Sequence, residues 1–278
     1  MIAAPSDRTG APSGDLVPRI LSAAVLAPVV LAAVYFGGLP LAILAAAASI
    51  ILMLEWLHMT RHDARGLTGG LAVAAVGVGV LAAGATLLAP GAVIVLIAAI
   101  GIYAATRDSW LAAGIVYASI MAISLLAIRF DAEHGLAAVL FVLAVVWATD
   151  VGAFAAGRAV GGPKLWPAVS PKKTWAGFAG GLAAALAVGL IAAGLMGARP
   201  GIAIAAVIIA LSLACQAGDL FESAVKRRFG VKDASRLIPG HGGLLDRVDG
   251  LTFAAPLAAI VGLIHAGPGR IGGGLIAW

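Results

Sequence analysis

Apolar residues in this chain come in long unbroken runs, not in alternation. Runs at 20–36, 41–54, 70–88, 92–105, 110–128, 136–156, 177–196, 201–217 and 251–266 carry almost no charge. Many approach the roughly 20 residues a helix needs to cross the hydrocarbon core. A helix also satisfies its own backbone groups in lipid. The apolar/polar alternation of a closed barrel is absent. The pattern therefore predicts an all-α polytopic integral membrane protein with about nine transmembrane helices, eight and ten being the neighbouring counts because run boundaries shift by a few residues. The run at 20–36 follows Arg19 and ends in Gly-Gly-Leu-Pro with no good small-residue cleavage pattern, so it reads as an uncleaved span; a signal peptide is the other reading. Residues 1–19 form a polar arm with Pro, Ser, Gly and Asp, on which no fold is forced.

Composition sharpens this picture. Hydrophobic residues are 62% and charged residues 11% of the 278, and the mean hydropathy is +1.07, far from the balance of a soluble domain. Abundant Ala and Gly suit close helix packing in lipid. The single cysteine, Cys215, cannot form an internal disulfide and is expected to be buried packing. With nine spans, one side of the membrane holds only Arg129, Arg199 and Arg270 of the 18 Lys and Arg. By the positive-inside rule the other side, with the N-terminus, faces the cytoplasm. The expected location is the cell inner (plasma) membrane, multi-pass, with the polar loops on the cytoplasmic face.

The densest polar stretch, at 218–250, reads GDLFESAVKRRFGVKDASRLIPGHGGLLDRVDG and lies between two apolar runs. Acids and bases so close to lipid are costly and mark function. Asp219, Asp246 and Asp249 are hard oxygen ligands suited to Mg²⁺, which binds through one or two carboxylates plus substrate phosphates. If the chain is helical from Leu245, Asp246 and Asp249 share a face. The alternative is that they form ion pairs with Arg247, Arg228 or Lys226. Asp150, at the end of an apolar run, reads as a further ligand or a counter-ion for Lys172 or Lys173.

A second polar segment, 157–174, ends in Ser170-Pro-Lys-Lys-Thr174 just before an apolar helix expected near Trp175 or Gly177. Two lysines, two hydroxyls and a helix N-terminus make an anion site, with phosphate the natural guest. The glycines Gly240, Gly242 and Gly243 allow a tight turn and close backbone approach to a ligand, with His241 among them as a phosphate contact or a turn cap. His58, His62 and His134 read as solvated. Trp110, Trp147, Trp166 and Trp175 read as an aromatic belt at span ends. Nucleic acid is a poor partner, because the charge hugs the bilayer without interleaved stacking aromatics. Phosphoryl or nucleotidyl transfer to a lipid fits better, since basic residues and a metal can neutralise two anionic reactants held in line.

On these residues the chain resembles the integral-membrane phosphatidate cytidylyltransferases, also called CDP-diacylglycerol synthases. The resemblance is carried by SAVKRRFGVKDASRLIPGHGGLLDRVD at 223–249 and by DVGAFAAGRAVGGPKLWPAVSPKKTWAGFAGG at 150–181, together roughly the C-terminal half. It implies transfer of CMP from CTP to phosphatidate, giving CDP-diacylglycerol and pyrophosphate, with Mg²⁺ required as one ion or two. Asp219 and Asp246 are then metal ligands, joined in the expected set by Asp150 as the further ligand read above from its position, and Asp249 a supporting acid. Ser170, Lys172, Lys173 and Thr174 are phosphate contacts. Ser223, Lys226, Arg227, Lys232, His241, Gly242, Gly243 and Arg247 line the substrate site, Lys226 and Arg247 among the catalytic groups. A homodimer follows by analogy. The catalytic region is then 136–278, after N-terminal helices at 20–135. Two positions depart from the family pattern: Ala176 stands where a Glu is common, and Phe154 where a Tyr is common. Any role of that carboxylate must be absent or supplied from elsewhere. The alternatives are another CTP-using lipid transferase, such as a polyprenol or phytol kinase, and a transporter with a regulatory loop. The latter usually places its ionisable residues near the midplane between repeats, and no repeat is evident here.

Overall fold

The computed structural model describes residues 27–198, 201–235 and 242–278. Among these residues, ten helices and one hairpin occur in the order α1 (Ala27–Phe36), α2 (Gly38–Met59), α3 (Leu67–Gly84), α4 (Leu88–Thr106), α5 (Ser109–Arg129), α6 (Gly135–Ala159), β1 (Lys164–Trp166), β2 (Ser170–Thr174), α7 (Trp175–Leu195), α8 (Ile202–Arg228), α9 (Leu245–Ala266) and α10 (Ile271–Ile276). Eight of these, α2 to α9, are long and apolar enough to cross a membrane. The chain is a polytopic membrane protein. The first expected span is represented by α1; its earlier residues and the polar arm lie outside the described residues.

Helices run past the apolar stretches that announce them. The run ending at 217 continues helically to Arg228, and the run beginning at 251 is already helical at Leu245. Asp150 sits inside α6, which continues to Ala159. A helix satisfies its backbone whatever its side chains, so polar residues extend it wherever their heads reach water or a cavity. Trp147 falls in the middle of α6 and is 49% exposed, so it does not belong to a belt at the span ends. The segment at 164–174 departs from an all-helical pattern: β1 pairs antiparallel with β2, Lys164 opposite Thr174 and Trp166 opposite Ser170. Thr174 then caps α7, its hydroxyl oxygen accepting from the Gly177 amide at 3.0 Å.

Two buried clusters hold the bundle. One gathers Phe141, Val142, Ile128, Leu211 and Ile208 around α5, α6 and α8. The other centres on Trp56 with Leu52, Met53 and Ile115 around α2 and α5. Trp56 donates to the Trp110 carbonyl at 2.9 Å and fits because Gly114 has no Cβ, which would lie 2.3 Å from its ring. Two close helix seams set the spacing of the polar side chains. Along α6 and α7, a Cβ on Gly152 would meet Ala184 at 2.4 Å, and one on Gly180 would meet Ala156 at 2.2 Å. Along α8 and α9, a Cβ on Gly218 would stand 2.4 Å from the Asp249 carbonyl, and one on Gly250 would stand 2.5 Å from Cys215 Sγ. Small residues let these backbones approach as packing in lipid requires.

Candidate functional site

Where α6, the hairpin, α7, α8 and the start of α9 converge, they enclose an open cavity of about 1150 Å³. Its wall holds the acids Asp150, Asp219, Glu222, Asp233, Asp246 and Asp249 and the bases Arg158, Lys172, Lys173, Lys226, Lys232 and Arg247. In a chain with only 11% charged residues, this is where the charge is gathered. Ala153, Phe154, Leu165 and Phe178 supply an apolar wall beside it. Phe154 is 68% exposed, so that wall is continuous with the outer face of α6.

The Gly218 and Gly250 contact brings the acidic side chains of two helices together. Asp219 and Glu222 are three apart on α8 and share a face, and Asp249 faces them from α9. A carboxylate oxygen of each lies within 4.8 Å of the others. Glu222 is only 2% exposed, and its Oε1 has no hydrogen-bond partner, while its Oε2 pairs with Lys226 Nζ at 2.7 Å. Three carboxylates this close repel one another unless a cation sits among them. An all-oxygen set with an unsatisfied buried oxygen fits a hard divalent ion such as Mg²⁺.

Asp246 has a different set of partners. Its Oδ1 accepts from Lys226 Nζ at 2.7 Å, and its Oδ2 accepts from the amides of Ala234 at 3.0 Å and Gly243 at 2.9 Å. Lys226 is thus shared between Glu222 and Asp246, tying α8 to the first turn of α9. The same turn is held from the N-terminal half of the protein by Glu55 of α2. Glu55 accepts from Ser235 Oγ at 2.6 Å and from the Leu244 and Leu245 amides at 2.9 and 2.7 Å. These amides open α9 and have no partner within the helix, so a buried carboxylate answers them from afar. Gly243 makes room: a Cβ there would lie 2.8 Å from Glu55 Oε1.

The hairpin closes another side. Lys173 forms an ion pair with Asp219, and Lys172 lines the cavity beside it. Lys173 makes its ion pair with Asp219 and not with Asp150; the Asp150 Oδ1 accepts a weak bond from Cys215 Sγ at 3.6 Å. Cys215 itself is buried, as expected.

Most residues singled out in the sequence meet in this cavity: Asp150, Lys172, Lys173, Thr174, Asp219, Lys226, Lys232, Gly242, Asp246, Arg247 and Asp249 all line it. Ser170, Ser223 and Gly243 stand outside its lining, and Arg227 lines a separate hollow. His241 lies outside the described residues. The expected ligand set of Asp219, Asp246 and Asp150 differs from the gathered set of Asp219, Glu222 and Asp249, because Asp246 is turned onto Lys226 and two amides. Sequence reading gave Glu222 no role, although its spacing from Asp219 and Lys226 on one helix face was the available signal. Glu55 had none, since its partners lie some 180 residues away. Outside the cavity, His62 is half-buried, with Thr60 at 2.8 Å and Asp108 at 2.8 Å, rather than solvated.

The chain is similar to known proteins along most of its length. Residues 17–265 match the family profile described as the Cytidylyltransferase family. A phosphatidate cytidylyltransferase of Brucella suis is 42% identical over 261 residues, covering 91% of this chain and 96% of that protein. One from Brucella abortus is also 42% identical over 261 residues. A phosphatidate cytidylyltransferase of Staphylococcus saprophyticus is 47% identical over 130 residues, 46% of this chain and 50% of that protein.

Proposed function

Because this chain belongs to the cytidylyltransferase family, we infer that its cavity transfers CMP from CTP to phosphatidate, giving CDP-diacylglycerol and pyrophosphate for phospholipid synthesis. The observation that carries this reading is a single cavity in which an acid triplet, a ring of lysines and arginines and an apolar wall stand side by side. A lipid phosphate and a nucleotide triphosphate need all three surfaces.

In the reaction a phosphate oxygen of phosphatidate forms a new bond to the α-phosphorus of CTP. The bond from that phosphorus to the bridging oxygen of the β-phosphate breaks, and pyrophosphate leaves with the electron pair. The attacking oxygen is already ionised near neutral pH, so no strong general base is needed, and none of the cavity residues has to remove a proton. Positioning and charge neutralisation remain as the protein's work. Lys172, Lys173, Lys232, Arg158 and Arg247 supply positive charge along the wall where phosphates would lie. Lys226 stays with Glu222 and Asp246 and keeps the two helices in register. Phe154 and Phe178 offer the acyl chains an apolar surface open to the outer face of α6. Asp219, Glu222 and Asp249 would hold Mg²⁺. When bound, Mg²⁺ offsets the negative charge that grows on the transferring and leaving phosphates.

The bias of Lys and Arg supports a cytoplasmic orientation for the cavity, in the inner (plasma) membrane, where CTP is supplied. Positional labelling of the nucleotide tests the reaction type. With purified protein and phosphatidate, label on the α-phosphate of CTP is expected in the lipid product and label on the γ-phosphate in pyrophosphate. Transfer of the γ-label to lipid would identify a kinase instead.

A further inference from the structure

A second hollow, of about 480 Å³, lies apart from the cavity and is lined by Thr60, Arg61, Arg227, Arg228, Phe229 and Gly230. Half of its lining is arginine and none is acidic. Among the described residues, no carboxylate forms an ion pair with any of the three. Arg227 donates from Nε to the Val169 carbonyl at 3.4 Å, which leaves Arg61 and Arg228 as two like charges without a counter-charge; they repel one another and call for an anion.

Arg61 and Arg228 are also held in place. Arg61 adopts a left-handed backbone at φ 63, a conformation that non-glycine residues take up at a cost and that needs support from its surroundings. Its Nη2 donates to the Phe229 carbonyl at 3.3 Å, joining the loop after α2 to the end of α8. The Arg228 guanidinium sits 5.7 Å from the centre of the Trp110 ring, and Trp110 packs edge-on against Phe229 at 5.2 Å. These contacts fix guanidinium groups that would otherwise sample many rotamers, and so reduce the ordering cost of binding.

Position decides what kind of anion is meant. Arg61 lies just beyond the end of α2, Arg228 ends α8, and Trp110 stands at the start of α5. Three span ends and an indole mark the level of lipid headgroups. Basic pockets between spans at that level recognise headgroup phosphates, and the planar fork of arginine matches a phosphate's oxygens.

We propose that this hollow binds the phosphate of an anionic membrane-lipid headgroup, as a site separate from the substrate cavity. A headgroup gripped by Arg61 and Arg228 bridges α2 to α8. Glu55 lies just over one turn before the end of α2 and Lys226 two residues before the end of α8, so the ligand stiffens both supports of the site.

The test uses phosphatidylglycerol, which is neither substrate nor product of the proposed reaction, with the full-length protein in a neutral detergent. Bound lipid is read by native mass spectrometry across a phosphatidylglycerol titration, for wild type and for Arg61→Gln/Arg228→Gln. The double variant is expected to bind at least about tenfold more weakly, as loss of two charge-assisted contacts implies. Its turnover in phosphatidylcholine nanodiscs should match wild type, which reports folding. If the double variant does not purify as folded protein, Arg228→Gln alone is titrated against the same expectation of weakened binding. Equal affinity in wild type and variant overturns the proposal. So does displacement of the lipid by millimolar inorganic phosphate with no loss for phosphatidylcholine over phosphatidylglycerol, which would assign the hollow to a free anion. Because the readout is binding, it stands whether or not the lipid product is CDP-diacylglycerol.

Discussion

Asp246 and Asp249 occupy the same first turns of α9 and do different things. Asp249 meets Asp219 and Glu222 within 4.8 Å, whereas Asp246 is bound by Lys226 and by the amides of Ala234 and Gly243. A Mg²⁺ titration of turnover separates the two roles. Asp219→Asn and Asp249→Asn should raise the Mg²⁺ needed for half-maximal activity by about tenfold or more, the effect of losing about 1.4 kcal/mol of ion binding. Asp246→Asn should lower turnover at saturating Mg²⁺ with little change in that midpoint, because it loosens the loop rather than the ion. A midpoint shift confined to Asp246→Asn would contradict this assignment. The charged residues of this site were legible because charge is scarce in this chain and clustered between apolar runs. What each one faces was not legible, since that depends on the approach of α8 to α9 at Gly218 and Gly250, which is a matter of interhelical distance rather than of spacing along one helix.

Helix α2 reaches across the bundle to the head of α9, and the Glu55 side chain makes the polar part of the connection. Glu55→Ala would remove the acceptor of the Leu244 and Leu245 amides, at about 1–3 kcal/mol for each buried group. A lower thermal midpoint and turnover reduced by about tenfold or more are expected, with Glu55→Gln intermediate because its carbonyl oxygen still accepts. Unchanged stability and turnover in Glu55→Ala would remove α2 from the account of the site. A second carboxylate pins the loop between α5 and α6. Asp131 is buried, which alone would raise its pKa, but hydrogen bonds donated by the backbone amides of His134 at 3.0 Å, Gly273 at 2.7 Å and Glu133 at 3.1 Å outweigh burial and hold it below the ordinary carboxylate range. A depressed folded pKa contributes stability that is complete above the ordinary value of 3.8 and lost as pH falls through the lower folded value. The thermal midpoint of wild type should therefore drop below about pH 4, and Asp131→Asn should be less stable at neutral pH with a flatter acid limb. The existence of the spans was legible from their apolar runs. Their true ends were not, because the helical backbone continues through the polar residues of α6, α8 and α9 that face the cavity.

The N-terminal helices α2 to α5 carry no polar motif along the sequence, although the family match from residue 17 onward covers them, and they support the site through Glu55 and, around Trp56, through a buried cluster that includes Leu245 at the head of α9. The described residues thus form a bundle in which α2 to α5 brace the elements that line the cavity. Its orientation can be read by labelling. In a Cys215→Ser background, Asp233→Cys is expected to react with an impermeant thiol reagent only from the cytoplasmic side, and Pro268→Cys only from the other; the reverse pattern would invert the topology. The most direct test of the central claim is to incubate purified protein with phosphatidate, CTP and Mg²⁺, with and without EDTA, and to weigh the lipid product. A lipid heavier than phosphatidate by one CMP residue, formed with matching pyrophosphate and abolished by EDTA, is the expected result. Folded protein that leaves phosphatidate unchanged, or a product that forms equally well in EDTA, would contradict it.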